Sequence, residues 1–161
     1  MNTSQTVEKK GKRYHHGDLK AQLVEATRAL VEEQGPDHFS VAQACRLAGV
    51  STAAPYRHFE TRQDMLDAVA EEGLERMTSS LRHAAAAHPR GSIEAVTELG
   101  RAYVAFAGRE PGVYRLMFSS EADRPEERVA EMREQGMRCF GVVLGEVAQH
   151  MGAGPEDPRV L

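Results

Sequence analysis

Apolar residues recur along this chain at three- and four-residue intervals, and no stretch alternates as a half-buried strand does. Leu19, Leu23, Ala26, Leu30 and Val31 form a first stripe, with Asp18 placed to cap it and Gly35-Pro36 to end it near Gln34. Val41, Ala44, Cys45 and Ala48 form a second, short one. Thr61 and Asp64 stand at capping-box spacing ahead of Leu66, Val69, Gly73, Met77 and Leu81, which predicts a long helix to about Ala87. His88-Pro89-Arg90-Gly91 breaks the pattern. Ile93, Val96, Leu99, Tyr103 and Phe106 then make a helix ending near Gly108. Pro111 opens a short helix with Val113, Tyr114, Met117 and Phe118. Pro125 opens a last one with the stripe Val129, Met132, Met137, Phe140, Val143, Leu144 and Val147. The expected fold is all-α.

Residues 40–59, SVAQACRLAGVSTAAPYRHF, carry the candidate chemistry. Ser40 and Gln43 form a capping box at the start of the second stripe. Gly49 stands where a chain leaving a helix needs positive φ, and Val50 plugs the corner. Ser51 or Thr52 caps a following helix through His58, with Phe59 returning to the core. Pro55 is tolerated there as an early helical residue, whose N–H has no intrahelical partner in any case. Two short helices joined by a glycine turn predict a helix-turn-helix, whose second helix enters the DNA major groove. Small residues at Thr52, Ala53 and Ala54 allow close approach to base edges. Tyr56, Arg57 and His58 supply donors for phosphate or guanine. The bland alternative is two amphipathic helices within any helical core.

Composition narrows the function classes. The apolar fraction of 41% is enough for a core, and no apolar run reaches membrane-spanning length. Cys45 and Cys139 lack CxxC spacing and read as ordinary buried thiols in a reducing, cytoplasmic setting. Arg13, Tyr14, His15 and His16 suggest phosphate or minor-groove contacts rather than a metal, since adjacent histidines cannot share a helical face. No nucleophile–base order, HExxH or phosphate loop is present, so neither an enzyme nor a cofactor is expected. Five basic against two acidic residues over 1–20 give +3, whereas 61–161 balances at −5, so only one end is expected to meet nucleic acid.

FSVAQACRLAGVSTAAPYRHFETRQDML resembles the DNA-binding domain of the tetracycline-repressor (TetR/AcrR) family. The resemblance rests on the Gly49-Val50-Ser51 turn, the Tyr56-Arg57-His58-Phe59 block and basic Arg62, where the family usually has lysine. Tyr14-His15-His16-Gly17-Asp18-Leu19 and Glu110-Pro111-Gly112-Val113-Tyr114-Arg115-Leu116-Met117-Phe118 resemble one large subfamily more loosely. The resemblance implies a transcriptional regulator, most often a repressor, binding operator DNA as a homodimer. It places DNA contacts at Arg13, Tyr14, His15, His16, Ser40, Ser51, Thr52, Ala53, Ala54, Tyr56, Arg57, His58 and Arg62.

The expected organisation is a basic tail at 1–12, a helix-turn-helix domain at 13–62, a helical regulatory domain at 63–151 and a frayed end at 152–161. The resemblance implies a pocket in the regulatory half for a small apolar or aromatic effector. Candidate lining residues are Met77, Leu81, Leu99, Tyr103, Phe106, Tyr114, Met117, Phe118, Met132, Met137 and Phe140. Plain packing is the alternative for each. No charge falls within a stripe, which favours an apolar ligand. The long 62–87 helix is expected to act as a lever. Relatives usually carry two further helices that pair subunits, so either this chain is truncated or its dimer forms through the 125–150 and 93–107 helices. A helical interaction module that does not bind DNA is the alternative function.

Overall fold

A computed structural model describes residues 19–119, 124–154 and 157–159. Every regular element among them is helical: α1 (Leu19–Gln34), α2 (Val41–Ala48), a single 3₁₀ turn (Pro55–Arg57), α3 (Arg62–Ala86), α4 (Ile93–Arg109), α5 (Pro111–Met117) and α6 (Glu126–His150). The basic tail at 1–12, then Arg13, Tyr14, His15 and His16, and the predicted Asp18 cap all lie outside the described residues, as does part of the segment after Gly154.

Both predicted capping boxes form. Ser40 accepts from the Gln43 amide while the Gln43 side chain accepts from the Ser40 amide at 2.7 Å. Thr61 and Asp64 repeat the exchange at the start of α3. Each satisfies two amides that the first helical turn leaves open. Gly49 leaves α2 at φ 71°, with its N–H on the Arg46 carbonyl and the Val50 N–H on the Cys45 carbonyl. That pair of bonds is a Schellman closure, and its left-handed residue favours glycine.

α3 organises the molecule. At 25 residues it is about 37 Å long. It packs against α1, α4, α5 and α6. Met65, Leu66, Val69 and Ala70 join Leu23, Val31, Ala44 and Phe59. Leu74, Met77 and Leu81 continue the same buried cluster to Leu99, Phe106 and Leu116. The division expected at 62/63 therefore falls in the first turn of a helix whose core is continuous.

The other ties are polar. The Glu32 carboxylate of α1 accepts from the Gly112 and Val113 amides at 3.0 and 2.8 Å, capping α5 from outside. Arg76 of α3 pairs with Glu110 at 2.6 Å. Buried Glu146 of α6 accepts from the Gly91 amide at 2.8 Å, pinning α6 to the α3–α4 turn.

The last helix departs from expectation. Its buried residues are Cys139, Glu146 and Ala148, while the predicted stripe residues Met137 and Phe140 are 61% and 53% exposed. The predicted stripe rests on hydropathy, but this helix faces an open cleft, so its largest apolar side chains stand at the rim. Both cysteines are free and buried, as the sequence predicts, and burial pushes the Cys45 thiol pKa up.

Candidate nucleic-acid interface and apolar cleft

The segment expected to be a reading helix is less than a helix. Ser51 to Ala54 form a turn closed by the Ala54 N–H on the Ser51 carbonyl, followed by the 3₁₀ turn at Pro55–Arg57. Pro55 has no N–H to return to Ser51, so the i→i−4 ladder cannot pass through it. Neither Ser51 nor Thr52 caps an α-helix here. The cap position falls to Ala54, without a side-chain bond.

The surface of this segment still has the predicted polarity. Pro55 and Phe59 are buried, whereas Ser51, Thr52, Ala53, Tyr56, Arg57 and His58 are exposed and Ala54 is half-buried. Tyr56 is 64% exposed, which is uncommon for an aromatic without a partner surface. Two anchored residues, Pro55 and Phe59, thus hold a short, outward-facing row of small residues followed by donors. Ser40 lies one helix away, and its hydroxyl is engaged as the α2 cap.

Arg62, which the resemblance places among the DNA contacts, is engaged inside the protein. Its Nε donates to the Phe39 carbonyl at 3.2 Å, its Nη2 donates to the Pro36 carbonyl, and the guanidinium stacks on the Phe39 ring at 4.6 Å. It latches the α1–α2 connection to α3. Sequence could not show this, because the two carbonyls lie 23 and 26 residues upstream. Arg62→Ala is therefore expected to lower stability by about 1–3 kcal/mol, the range for hydrogen bonds made by a charged donor. Chemical denaturation checks it. Unchanged stability with a reduced salt dependence of DNA binding would return the residue to a phosphate role.

The second feature is a cleft of about 1000 Å³ bounded by α3, α4, α6 and the end of α5. Met77, Leu81, Leu99, Tyr103, Met117, Phe118, Met132, Met137 and Phe140 are among the residues that line it. Two expected residues do not. Phe106 is 1% exposed and sits in the core, on the turn of α4 that faces α3. Tyr114 stands behind the wall, its hydroxyl 2.8 Å from that of Tyr103 with the rings edge to face. That hydrogen bond, with burial, pushes the Tyr103 pKa up to about 12. Val104 and Phe118 remain 69% and 61% exposed, so the mouth is apolar as well as the floor.

Sequence reading missed the charged part of the lining. Arg124 and Arg133 both face the cleft. The Arg124 side chain is 3% exposed, with Nε 2.8 Å from Asp67 Oδ1 of α3, itself 3% exposed. Gln63 Nε2 also donates to Asp67 at 2.7 Å, and Arg128 lies 3.8 Å from its other oxygen. A buried acid on α3 facing arginines near Pro125 carried no periodic signal. The partners are 57 residues apart. Among the described residues no cluster of His, Cys, Asp and Glu is arranged for a metal, and no helix is long and apolar enough to cross a membrane.

Comparison with known proteins agrees with this geometry. The family model "Bacterial regulatory proteins, tetR family" matches residues 23–69, and "Tetracyclin repressor-like, C-terminal domain" matches 96–161. The nucleoid occlusion factor SlmA of Photobacterium profundum is 28% identical over 146 residues, covering 88% of this chain and 71% of that protein. SlmA of Aliivibrio fischeri (strain MJ11) is 26% identical, covering 87% and 74%. A solved protein of unknown function from Rhodococcus sp. RHA1 is 30% identical with a TM-score of 0.73, covering 89% of this chain and 72% of its own. The TetR family transcriptional regulator PfmR from Thermus thermophilus superposes with a TM-score of 0.66 over 81% and 69%. At 17% identity that likeness concerns the fold.

Proposed function

The chain belongs to the tetracycline-repressor family of bacterial transcriptional regulators, and from that membership we propose that it is a cytoplasmic repressor that reads a two-fold operator as a homodimer and leaves it when a small molecule fills the cleft. Regulators of this family bind DNA and are not enzymes. The observation that supports the reading most is the exposed row Ser51, Thr52, Ala53, Tyr56, Arg57 and His58, held outward by buried Pro55 and Phe59. Residues up to Arg62 are assigned to the DNA-binding half and 63–151 to the regulatory half. Arg13, Tyr14, His15 and His16 are assigned to a basic arm.

In this reading the small residues approach base edges, Arg57 reads a base, and Tyr56 and His58 hold phosphates. One such turn contacts too few bases for specificity. Two copies spaced about 34–36 Å apart on successive major grooves supply the rest. A ligand in the cleft touches α3, α4 and α6, and α3 begins at Arg62, shortly after the DNA-reading turn ends at Arg57. A tilt of α3 would change the separation of the two reading heads.

Selection of binding sites from random duplex DNA by the full chain tests this. A palindromic sequence is expected. Arg57→Ala should relax preference at one position of each half-site by about 1–3 kcal/mol, the worth of one bidentate base contact. Identical selected sequences from both proteins would remove Arg57 from base reading. Failure of the wild type to select any sequence would point to a helical interaction module instead.

A further inference from the structure

Few side chains in the cleft lining are polar, and most of those are already committed. Ser119 Oγ donates to the Leu116 carbonyl at 2.9 Å and accepts from Arg124 Nη2 at 3.2 Å. Arg124 is closed onto Asp67, and Arg133 is engaged as well. The Cys139 thiol is only a weak donor. Tyr103 is different. Its hydroxyl lies 2.8 Å from that of Tyr114, and among the described residues neither hydroxyl has another partner.

Two phenols hold two O–H protons, and the single hydrogen bond between them uses one. One proton is left over in either arrangement. When Tyr103 donates, the spare proton is on Tyr114, behind the wall. When Tyr114 donates, it is on Tyr103, which lines the cleft. The Cys139 thiol of α6, also in the lining, acts on the Tyr103 hydroxyl, so that oxygen lies on the cleft side of the pair.

We propose that the cleft takes a neutral apolar molecule with one hydrogen-bond acceptor, a ketone or ester carbonyl, which docks on the Tyr103 hydroxyl while Tyr114 donates to Tyr103 from behind. The proposal rests on the cleft being the effector site, and it names the class of effector. A wholly apolar ligand would shut the spare O–H away from water without a partner, whereas a carbonyl uses it. An acceptor suits the position better than a donor, because a phenol oxygen shares its lone pair with the ring and gives its proton more readily than it receives one. A hydroxyl that accepts one hydrogen bond also donates the next more strongly, so Tyr114 sharpens Tyr103 as a donor. That same bond, with burial, holds the Tyr103 pKa up at about 12, which keeps its proton in place at neutral pH. The apolar body of the ligand has Met77, Leu81 and Leu99 as a buried floor, with Leu99 one helical turn from Tyr103 on α4. The volume of about 1000 Å³ is ample for two fused rings, small-molecule sites running to roughly 300–1,000 Å³.

The test uses the full chain with a neutral fluorophore, N-phenyl-1-naphthylamine, displaced by 2-acetylnaphthalene or by 2-ethylnaphthalene, which has the same shape without the acceptor. The ratio of the two affinities is compared between wild type and variants, so the different hydrophobicities of the two compounds cancel. Tyr103→Phe should weaken the ketone by about three- to tenfold, the worth of one neutral hydrogen bond, and leave the hydrocarbon unchanged. Tyr114→Phe should leave the ketone nearly unchanged, since Tyr103 then has no other acceptor for its proton. The carbonyl stretch of the bound, isotope-labelled ketone should lie lower in wild type and Tyr114→Phe than in Tyr103→Phe, because a hydrogen bond weakens the C=O bond.

An affinity ratio and a stretch that are the same in wild type and Tyr103→Phe would overturn the docking on this hydroxyl. A ratio that falls equally in both variants would make the two hydroxyls a tie between α4 and α5 and overturn it too. Displacement by neither compound would instead remove the cleft as an effector site, the reading on which the proposal stands.

Discussion

Arg124→Ala is expected to destabilise the protein by about 3–5 kcal/mol, the cost of leaving one member of a buried ion pair without its partner. Both side chains are 3% exposed, so water cannot take over the lost contact. The magnitude is a large part of the roughly 5–15 kcal/mol that holds a typical domain folded. Gln63 and Arg128 temper it, since both already approach Asp67. Adding Asp67→Asn should recover most of the loss, because the double variant no longer buries an uncompensated charge. Urea unfolding of both single variants and the double closes the cycle, and the coupling energy is the quantity of interest. A loss under about 1 kcal/mol for Arg124→Ala would match an exposed pair instead and sink the buried assignment.

Gly112→Ala should lower stability by about 2–4 kcal/mol, the sum of an overpacking cost and a lost helix cap. A Cβ at this position would lie 2.6 Å from the Val31 carbonyl oxygen and 3.0 Å from Glu32 Cα, and both obstacles are backbone. α5 would have to lift from α1, at about 1–3 kcal/mol for overpacking. Lifting also withdraws the Gly112 and Val113 amides from the Glu32 carboxylate, a helix-capping loss of about 1 kcal/mol. For a chain of this size the melting temperature should fall by about 2–4 °C per kcal/mol. Gly108→Ala is the control. A Cβ there meets nothing within 4 Å, and alanine suits a helix better by about 0.5–1 kcal/mol. A calorimetric scan in which both variants melt with wild type would show that α5 does not seat on α1.

The two glycines are alike in sequence: each sits in or beside a helix, next to small or apolar residues. Only the crossing of α1 and α5 separates them. Likewise Arg57 and Arg62 both read as DNA contacts, and the structure leaves the first exposed while closing the second onto two carbonyls and a ring. The Ser40 and Thr61 boxes and the left-handed Gly49, by contrast, formed as predicted. Their partners lie within five residues, so the chain itself holds all the information required.

Hydropathy and local turn chemistry were enough to specify the all-α class, the starts of α2 and α3 and the corner at Gly49. Hydropathy at helical spacing also marked which faces of α3 and α4 turn inward. Packing settled what that pattern cannot express. Pro55 reduced the reading helix to a 3₁₀ turn, since a segment with so few ladder bonds cannot absorb the loss of one. Phe106 lies in the core rather than the cleft, and Tyr114 stands behind the wall with its hydroxyl on that of Tyr103. Met137 and Phe140 stayed at the cleft mouth. Arg124 became a buried charge, because its counter-ion is supplied by a helix 57 residues earlier. Local hydrogen bonds are written in neighbouring residues; the pairing of distant charges exists only once the helices have packed.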